Sequence, residues 1–262
     1  MLLRNPCLTS VIVTLGLVLT ACQRPASDGA CTTGDVQLLN EGTLTVGMDF
    51  DYPPFAFDDS KGRSTGFEVD LVRAIAKDAG LKLLLVNRTS AALLPGLLAH
   101  RQDIAASGLR DSNELKEETC ASVPYLTADL ALLAPAPDPH SIGDIGDLQG
   151  RSVGVLEGGR GAEWAEEHLE ASTIKTLPAT DDLLSSLRER TVDAVLDDLV
   201  IGRFAQKRAE DIRVVDTIRT GERYVLAAHP ENGALVAVVN AALSKMNRNG
   251  DLGDLEEKWF GG

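Results

Sequence analysis

The chain is short of positive charge, of aromatic rings and of histidine. Its 262 residues include 25 Lys and Arg against 39 Asp and Glu, a formal net charge of −14. A surface of that sign is repelled by phosphate backbones, which excludes nucleic acid as a partner. Phe, Trp and Tyr make up 4% of the residues, too few for platforms that stack single-stranded bases. The four His, at positions 100, 140, 168 and 229, are scattered, with no HExxH and no zinc-ligand spacing, so no metal is expected. No Ser sits in a G-x-S-x-G elbow, and the run Gly158-Gly159-Arg160-Gly161 lacks the Lys-Ser/Thr of a nucleotide P-loop. No cofactor is expected either. Hydrophobic residues, at 44%, are in ordinary supply. That excludes disorder for most of the chain and provides a core that needs no disulfide to hold it.

Long apolar runs are also scarce. From Cys7 to Ala21 no residue is charged, and Val11 to Leu19 is nearly all apolar. This is a signal-peptide core, short of the roughly 20 residues a membrane helix needs, and no other run is long enough to span. It ends in Leu19-Thr20-Ala21-Cys22, which resembles a bacterial lipoprotein cleavage box. The resemblance implies removal of residues 1–21, acylation of Cys22, and an extracytoplasmic protein held to the membrane by its lipid. An ordinary secretory signal is the alternative. Residues 22–40, polar and rich in Pro, Ser and Gly at their start, read as a tether. With Cys7 removed and Cys22 acylated, Cys31 and Cys120 remain in an oxidising compartment. They are expected to form a disulfide that ties the tether to the body, with two free buried thiols as the alternative.

Periodicity organises the rest of the chain. Leu44 to Met48 alternates as a strand, and Tyr52-Pro53-Pro54-Phe55 must be a loop because neither Pro fits a central strand. Asp70 to Ala79 is an amphipathic helix with Leu71, Ile75 and Ala79 on one face, closed by Gly80. A strand over 81–86, a helix around Leu93, Leu94, Leu97 and Leu98, and a strand over 103–107 complete a β-α-β-α-β unit. The proline-rich stretch 131–140 reads as the crossing to a second unit, where the alternation restarts over 152–207. A strand over 224–228 and two helices end the chain, too little for a third domain. The expected architecture is two lobes: residues 41–133 and 134–223, with 224–262 returning to complete the first.

The stretch Gly66-Phe67-Glu68-Val69-Asp70-Leu71-Val72-Arg73-Ala74-Ile75-Ala76 resembles the signature of the bacterial extracellular solute-binding proteins, family 3. Tyr52-Pro53-Pro54-Phe55, Val123-Pro124-Tyr125, Leu148 to Val155 and Lys258-Trp259-Phe260-Gly261 agree in order and spacing. The resemblance implies an α/β periplasmic-binding-protein fold, each lobe an open, mostly parallel sheet flanked by helices, with two hinge strands between the lobes. It also implies an amino-acid-type solute bound in the cleft by closure, a membrane permease as partner, and a monomer. Ligands of open α/β sheets lie beyond the carboxyl ends of the strands. Those ends supply Asp49, Tyr52 and Phe55, then Ser107, Gly108 and Arg110, then Gly159 and Arg160, and lastly Asp198. By the resemblance Asp198 takes the solute's ammonium, Tyr52 lines it, and a carboxylate such as Asp49 or Asp51 suits a cationic side chain, with a solvated loop charge as the alternative for those two. Asp197 is read as pointing elsewhere.

Three positions depart from the family pattern. The Arg expected seven residues after Gly108 is Leu115; an aromatic expected near the start of the Leu93 helix is Ser90; a Thr or Ser in the second lobe's glycine turn is Arg160. Compensation is the expectation: Arg160, at a glycine-rich helix start, and Arg110 from the first lobe grip one anion between them. The bland alternative pairs them with acids such as Asp111 or Glu157. An amine-bearing or zwitterionic solute is the class implied. Two other functions stay open on the residues alone. One is a dehydratase-like enzyme using carboxylates such as Glu68 and Asp198; the other is a sensory module without transport.

Overall fold

A computed structural model describes residues 31–32, 34–137, 142–170 and 172–261. The signal peptide, Cys22 and His140 lie outside the described residues. The first lobe opens with β1 (Thr43–Met48), then a small antiparallel sheet of β2 (Asp51–Tyr52), β3 (Ala56–Asp58) and β4 (Ser64–Thr65). Helix α1 (Phe67–Asp78) comes next. Its start depends on Gly66, at φ 139°, where a Cβ would stand 2.1 Å from the Phe55 carbonyl oxygen. Only glycine admits that approach. The helix buries Phe67, Val69, Leu71, Val72, Ile75 and Ala76 and keeps Arg73 and Lys77 outward, the one-sided pattern its period requires.

Beyond it lie β5 (Lys82–Asn87), α2 (Ser90–Leu98), β6 (Ile104–Arg110), α3 (Asn113–Glu118), β7 (Cys120–Ala121) and β8 (Leu126–Thr127). The second lobe holds β9 (Leu130–Pro135), β10 (Ser152–Leu156), α4 (Arg160–His168), β11 (Thr173–Leu177), α5 (Thr180–Arg188), β12 (Ala194–Asp198), α6 (Leu199–Arg208) and β13 (Ile212–Ile218). Then β14 (Arg223–Ala228), α7 (Gly233–Asn249) and α8 (Asp251–Phe260) return to the first lobe. The first sheet runs β5-β1-β6-β14-β7, with β8 also on β14; the second runs β11-β10-β12-β9-β13. In each, three parallel strands form one half, β5-β1-β6 and β11-β10-β12. The antiparallel half of each contains a strand adjoining a passage between lobes, β14 in the first and β9 and β13 in the second.

The strand pairing moves the first passage upstream of the proline-rich stretch. Leu130–Pro135 pairs on both edges inside the second sheet and is buried along its whole length. Its apolar run outweighs its prolines, because the first of them, Pro135, only closes the strand. The chain therefore changes sheets at Ala128 and Asp129 and returns between Ile218 and Arg223. α7 and α8 pack on the first sheet through Leu235, Val239, Met246 and Phe260. Cys31 and Cys120 are joined as a disulfide, which fastens the chain ahead of β1 to β7.

Candidate functional site

The carboxyl ends of β1, β6, β10 and β12 face one another across the lobes and enclose a cavity of about 400 Å³. Tyr52, Ser107, Gly108, Arg110, Gly159, Arg160 and Asp198 line it, and Asp49 and Phe55 do not. Asp49 is occupied elsewhere. Its Oδ2 accepts from both the backbone N–H and the hydroxyl of Ser90 (2.7 Å each), and its Oδ1 from the Asp51 N–H (3.1 Å). It therefore satisfies one of the open N–H groups at the start of α2. Phe55 is fully buried beneath Tyr52, with ring centroids 5.1 Å apart.

Asp198 closes β12 with its carboxylate in the cavity. The Tyr224 hydroxyl donates to its Oδ2 (2.7 Å), while Oδ1 is buried without a hydrogen-bond partner. Asp197 also lines the cavity, contrary to the expectation that it points away. Its Oδ1 accepts from the Asp198 N–H (2.8 Å), and its Oδ2 is buried and unpartnered. Burial, then the neighbouring Asp198 charge, push the Asp197 carboxyl up to about 8. Burial raises Asp198 as well, but Tyr224, Arg160, Arg110 and Tyr52 oppose the rise. The ionised form of each disfavours that of the other, and Asp198 is the one with neighbours that favour its charge. Burial and the adjacent carboxylates hold Tyr52 and Tyr224 far above the ordinary phenol range, so both remain donors.

Arg160 is placed by the first turn of α4. A Cβ on Gly161 would lie 2.1 Å from the Leu196 carbonyl oxygen, so the helix packs directly against the backbone of β12 and brings Arg160 beside Asp198. The two arginines converge from opposite lobes, but on an acid of the chain itself. Glu222, in the returning segment, pairs with Arg160 and lies 3.9 Å from Arg110. Arg110 Nη1 also meets Glu163 on α4 at 3.0 Å, an ion pair across the cleft. The acids are thus Glu163 and Glu222 rather than Asp111, which pairs with Lys116 (2.5 Å), or Glu157. Burial lowers Arg160, whose Nε has no hydrogen-bond partner, while the Glu163 hydrogen bond raises Arg110. Leu115 packs in the core with Leu93, Leu97 and Val225, outside the cavity.

Sequence reasoning missed Tyr224 and Glu222. One signal was available for Tyr224: the chain has three Tyr, and all three gather here. Tyr125 lies deeper and donates to Oε1 of Glu68, which also accepts the Gly108 N–H at 3.0 Å. Burial lifts Glu68 to about 7 against those two hydrogen bonds. It supports the Gly108 turn from beneath and does not line the cavity.

Two α/β lobes joined by strands, with a small polar cavity between them, define the class of two-lobed periplasmic-type binding proteins. Residues 44–262 match the model of the bacterial extracellular solute-binding proteins, family 3, and the chain belongs to that family. It is 31% identical over 236 residues to the L-cystine-binding protein TcyJ of Escherichia coli strain K12, covering 87% of each chain. It is 26% identical over 256 residues to the arginine-binding extracellular protein ArtP of Bacillus subtilis strain 168, covering 96% of each. Among solved structures, an ancestral cationic amino acid solute-binding protein matches at 31% identity and a TM-score of 0.77, over 84% of this chain and 96% of that one. The protein is an extracytoplasmic solute-binding protein.

Proposed function

We propose that this protein is the receptor of an ATP-driven importer and takes an amino acid or a derivative of one into its cleft by lobe closure. The observation that carries the reading is the Asp198 carboxylate, with Oδ2 held by Tyr224 and a buried Oδ1 free of partners. An ammonium group supplies what that oxygen lacks, and such a charge-assisted bond is strong where water is excluded. The solute's carboxylate is met by Arg160 and Arg110, where it takes the place of the Glu222 carboxylate. The cavity, about 400 Å³, suits a small molecule. The names of the relatives, which bind L-cystine or arginine, point to the same class.

The test is a thermal-shift screen of the disulfide-bonded protein against amino acids, polyamines, betaines and opine-like compounds. A ligand at 100 times its Kd adds about 2.7 kcal/mol to stability, and Asp198→Asn is expected to abolish that gain. No shift from any amine-bearing compound, or an unchanged shift in Asp198→Asn, would reject the reading. Membrane anchoring through an acylated Cys22 belongs to the same proposal. Labelled palmitate is expected to be incorporated into the parent protein and not into Cys22→Ser, and a parent protein that takes up no label would count against it.

A further inference from the structure

Far from the cleft, the fold joins two of the histidines that lie apart in the sequence. His100 follows α2 and His229 follows β14; their rings stack with centroids 3.9 Å apart and planes at 30°. Glu231 completes the group, and one ligand atom from each of the three lies within 4.8 Å of the others. Spacing along the chain gives no sign of this group, which the fold assembles because α2 and β14 flank the same strand, β6. Strand β14 runs from Tyr224 at the cavity to Ala228, next to His229. At about 3.4 Å per residue, that puts the His group roughly 17 Å from the solute site.

We infer that His100, His229 and Glu231 form a binding site for a divalent transition-metal ion of the zinc class. Two imidazoles and a carboxylate are the ligands such ions prefer over the all-oxygen sets of magnesium and calcium. Nitrogens bound tetrahedrally at about 2.0–2.1 Å lie roughly 3.3 Å apart, so the three ligand atoms need to move inward by only about 1 Å. Nδ1 of His229 faces Glu231. It accepts that residue's N–H over a long 3.3 Å and lies 3.9 Å from its Oε2. A metal taking Nδ1 gives up only that weak contact.

The loop that carries two of the ligands is held in place by the chain ahead of β1. The Thr32 N–H donates to the Pro230 carbonyl (2.9 Å) and the Gly233 N–H to the Thr32 carbonyl (3.1 Å). Asn232 exchanges two hydrogen bonds with the backbone of Gln37. Preorganisation of this kind lowers the entropy cost of binding. A neighbouring cavity of about 310 Å³ leaves room for water to complete the coordination. Asp103, on its wall, is not a fourth ligand, because its two oxygens already accept the N–H groups of Leu39 and Thr45 (2.8 Å each).

The experiment is a Zn²⁺ titration of the full, untagged chain with its free thiols alkylated, read by competition with a chromophoric chelator and by the shift in Tm. One Zn²⁺ per chain and a raised Tm are expected. His100→Ala should weaken uptake by more than about tenfold, the upper loss being larger than for a residue that only supports a ligand. His100 is exposed, so its removal does not threaten the fold. His168→Ala, whose ring stacks on Trp164 instead, should leave uptake unchanged. Absence of Zn²⁺ binding to the parent protein, or binding of equal strength in His100→Ala, would overturn the assignment.

Discussion

The Glu222 carboxylate sits where the anion of a solute is expected to bind, paired with Arg160 and close to Arg110. Removing its charge leaves both guanidiniums open. Glu222→Gln is therefore expected to bind a carboxylate-bearing solute about tenfold more tightly, near 1.4 kcal/mol, in calorimetric titration. Unchanged or weaker binding would show that Glu222 does not compete. Asp197 gives a second prediction, at the level of one proton. Its carboxyl is raised from 3.8 to about 8 in the folded protein. The folded state therefore holds a proton that the unfolded chain has released, and stability contributed below pH 4 is lost as pH rises through about 8. Asp197→Asn keeps an acceptor for the Asp198 N–H and cannot ionise. It should be the more stable protein at pH 8, by roughly 1–3 kcal/mol, with a flatter denaturation profile between pH 4 and 8. A variant no more stable than the parent at pH 8 would refute this.

Among the elements, α2 and α4 begin at the cavity, with Ser90 and Arg160 on its wall, and a close contact is made at the start of each. At α4 it is the missing side chain of Gly161 against the Leu196 carbonyl. Gly161→Ala must push the helix off β12, with an expected cost of about 1–3 kcal/mol in chemical denaturation and weakened solute binding, because Arg160 moves with the turn. Full binding in a destabilised variant would separate the two roles. At α2 the contact is Asp49 on Ser90, a capping role that the loop sequence alone did not distinguish from solute binding. Periodicity made the helices legible, because Leu71, Ile75 and Ala79, or Leu93 and Leu97, repeat at the helical interval. It could not place Leu130–Pro135. An apolar run buried on both faces has no alternation to show which sheet it joins, and its neighbouring prolines suggested a linker.

For the whole molecule, the disulfide and the contacts between lobes are what the topology adds. Cys31 and Cys120 are 89 residues apart, and a bridge over so long a loop stabilises by restricting the unfolded chain, typically by about 2–4 kcal/mol. The double variant Cys31→Ala/Cys120→Ala should lose that amount in equilibrium unfolding and keep its solute affinity, since the bridge lies in the first lobe away from the cavity. An undiminished unfolding midpoint would show that the bridge does not stabilise the fold. The lobes also meet at Arg110–Glu163, and at Phe57 and Trp259 on Phe204 of α6. The ion pair is exposed and so contributes little on its own. By itself the sequence determined the alternation of strands and helices, the family signature around Gly66 to Ala76, and the presence of Tyr52, Arg160 and Asp198 at strand ends. Those are properties of local order, set by period and by residue type. Only the tertiary structure decided that Glu222 meets the arginines, that Asp197 lines the cavity with Asp198 and Tyr224, and that His100 finds His229. Each of those depends on chain segments brought together across sheets and lobes, and spacing along the sequence carries no record of distance in space.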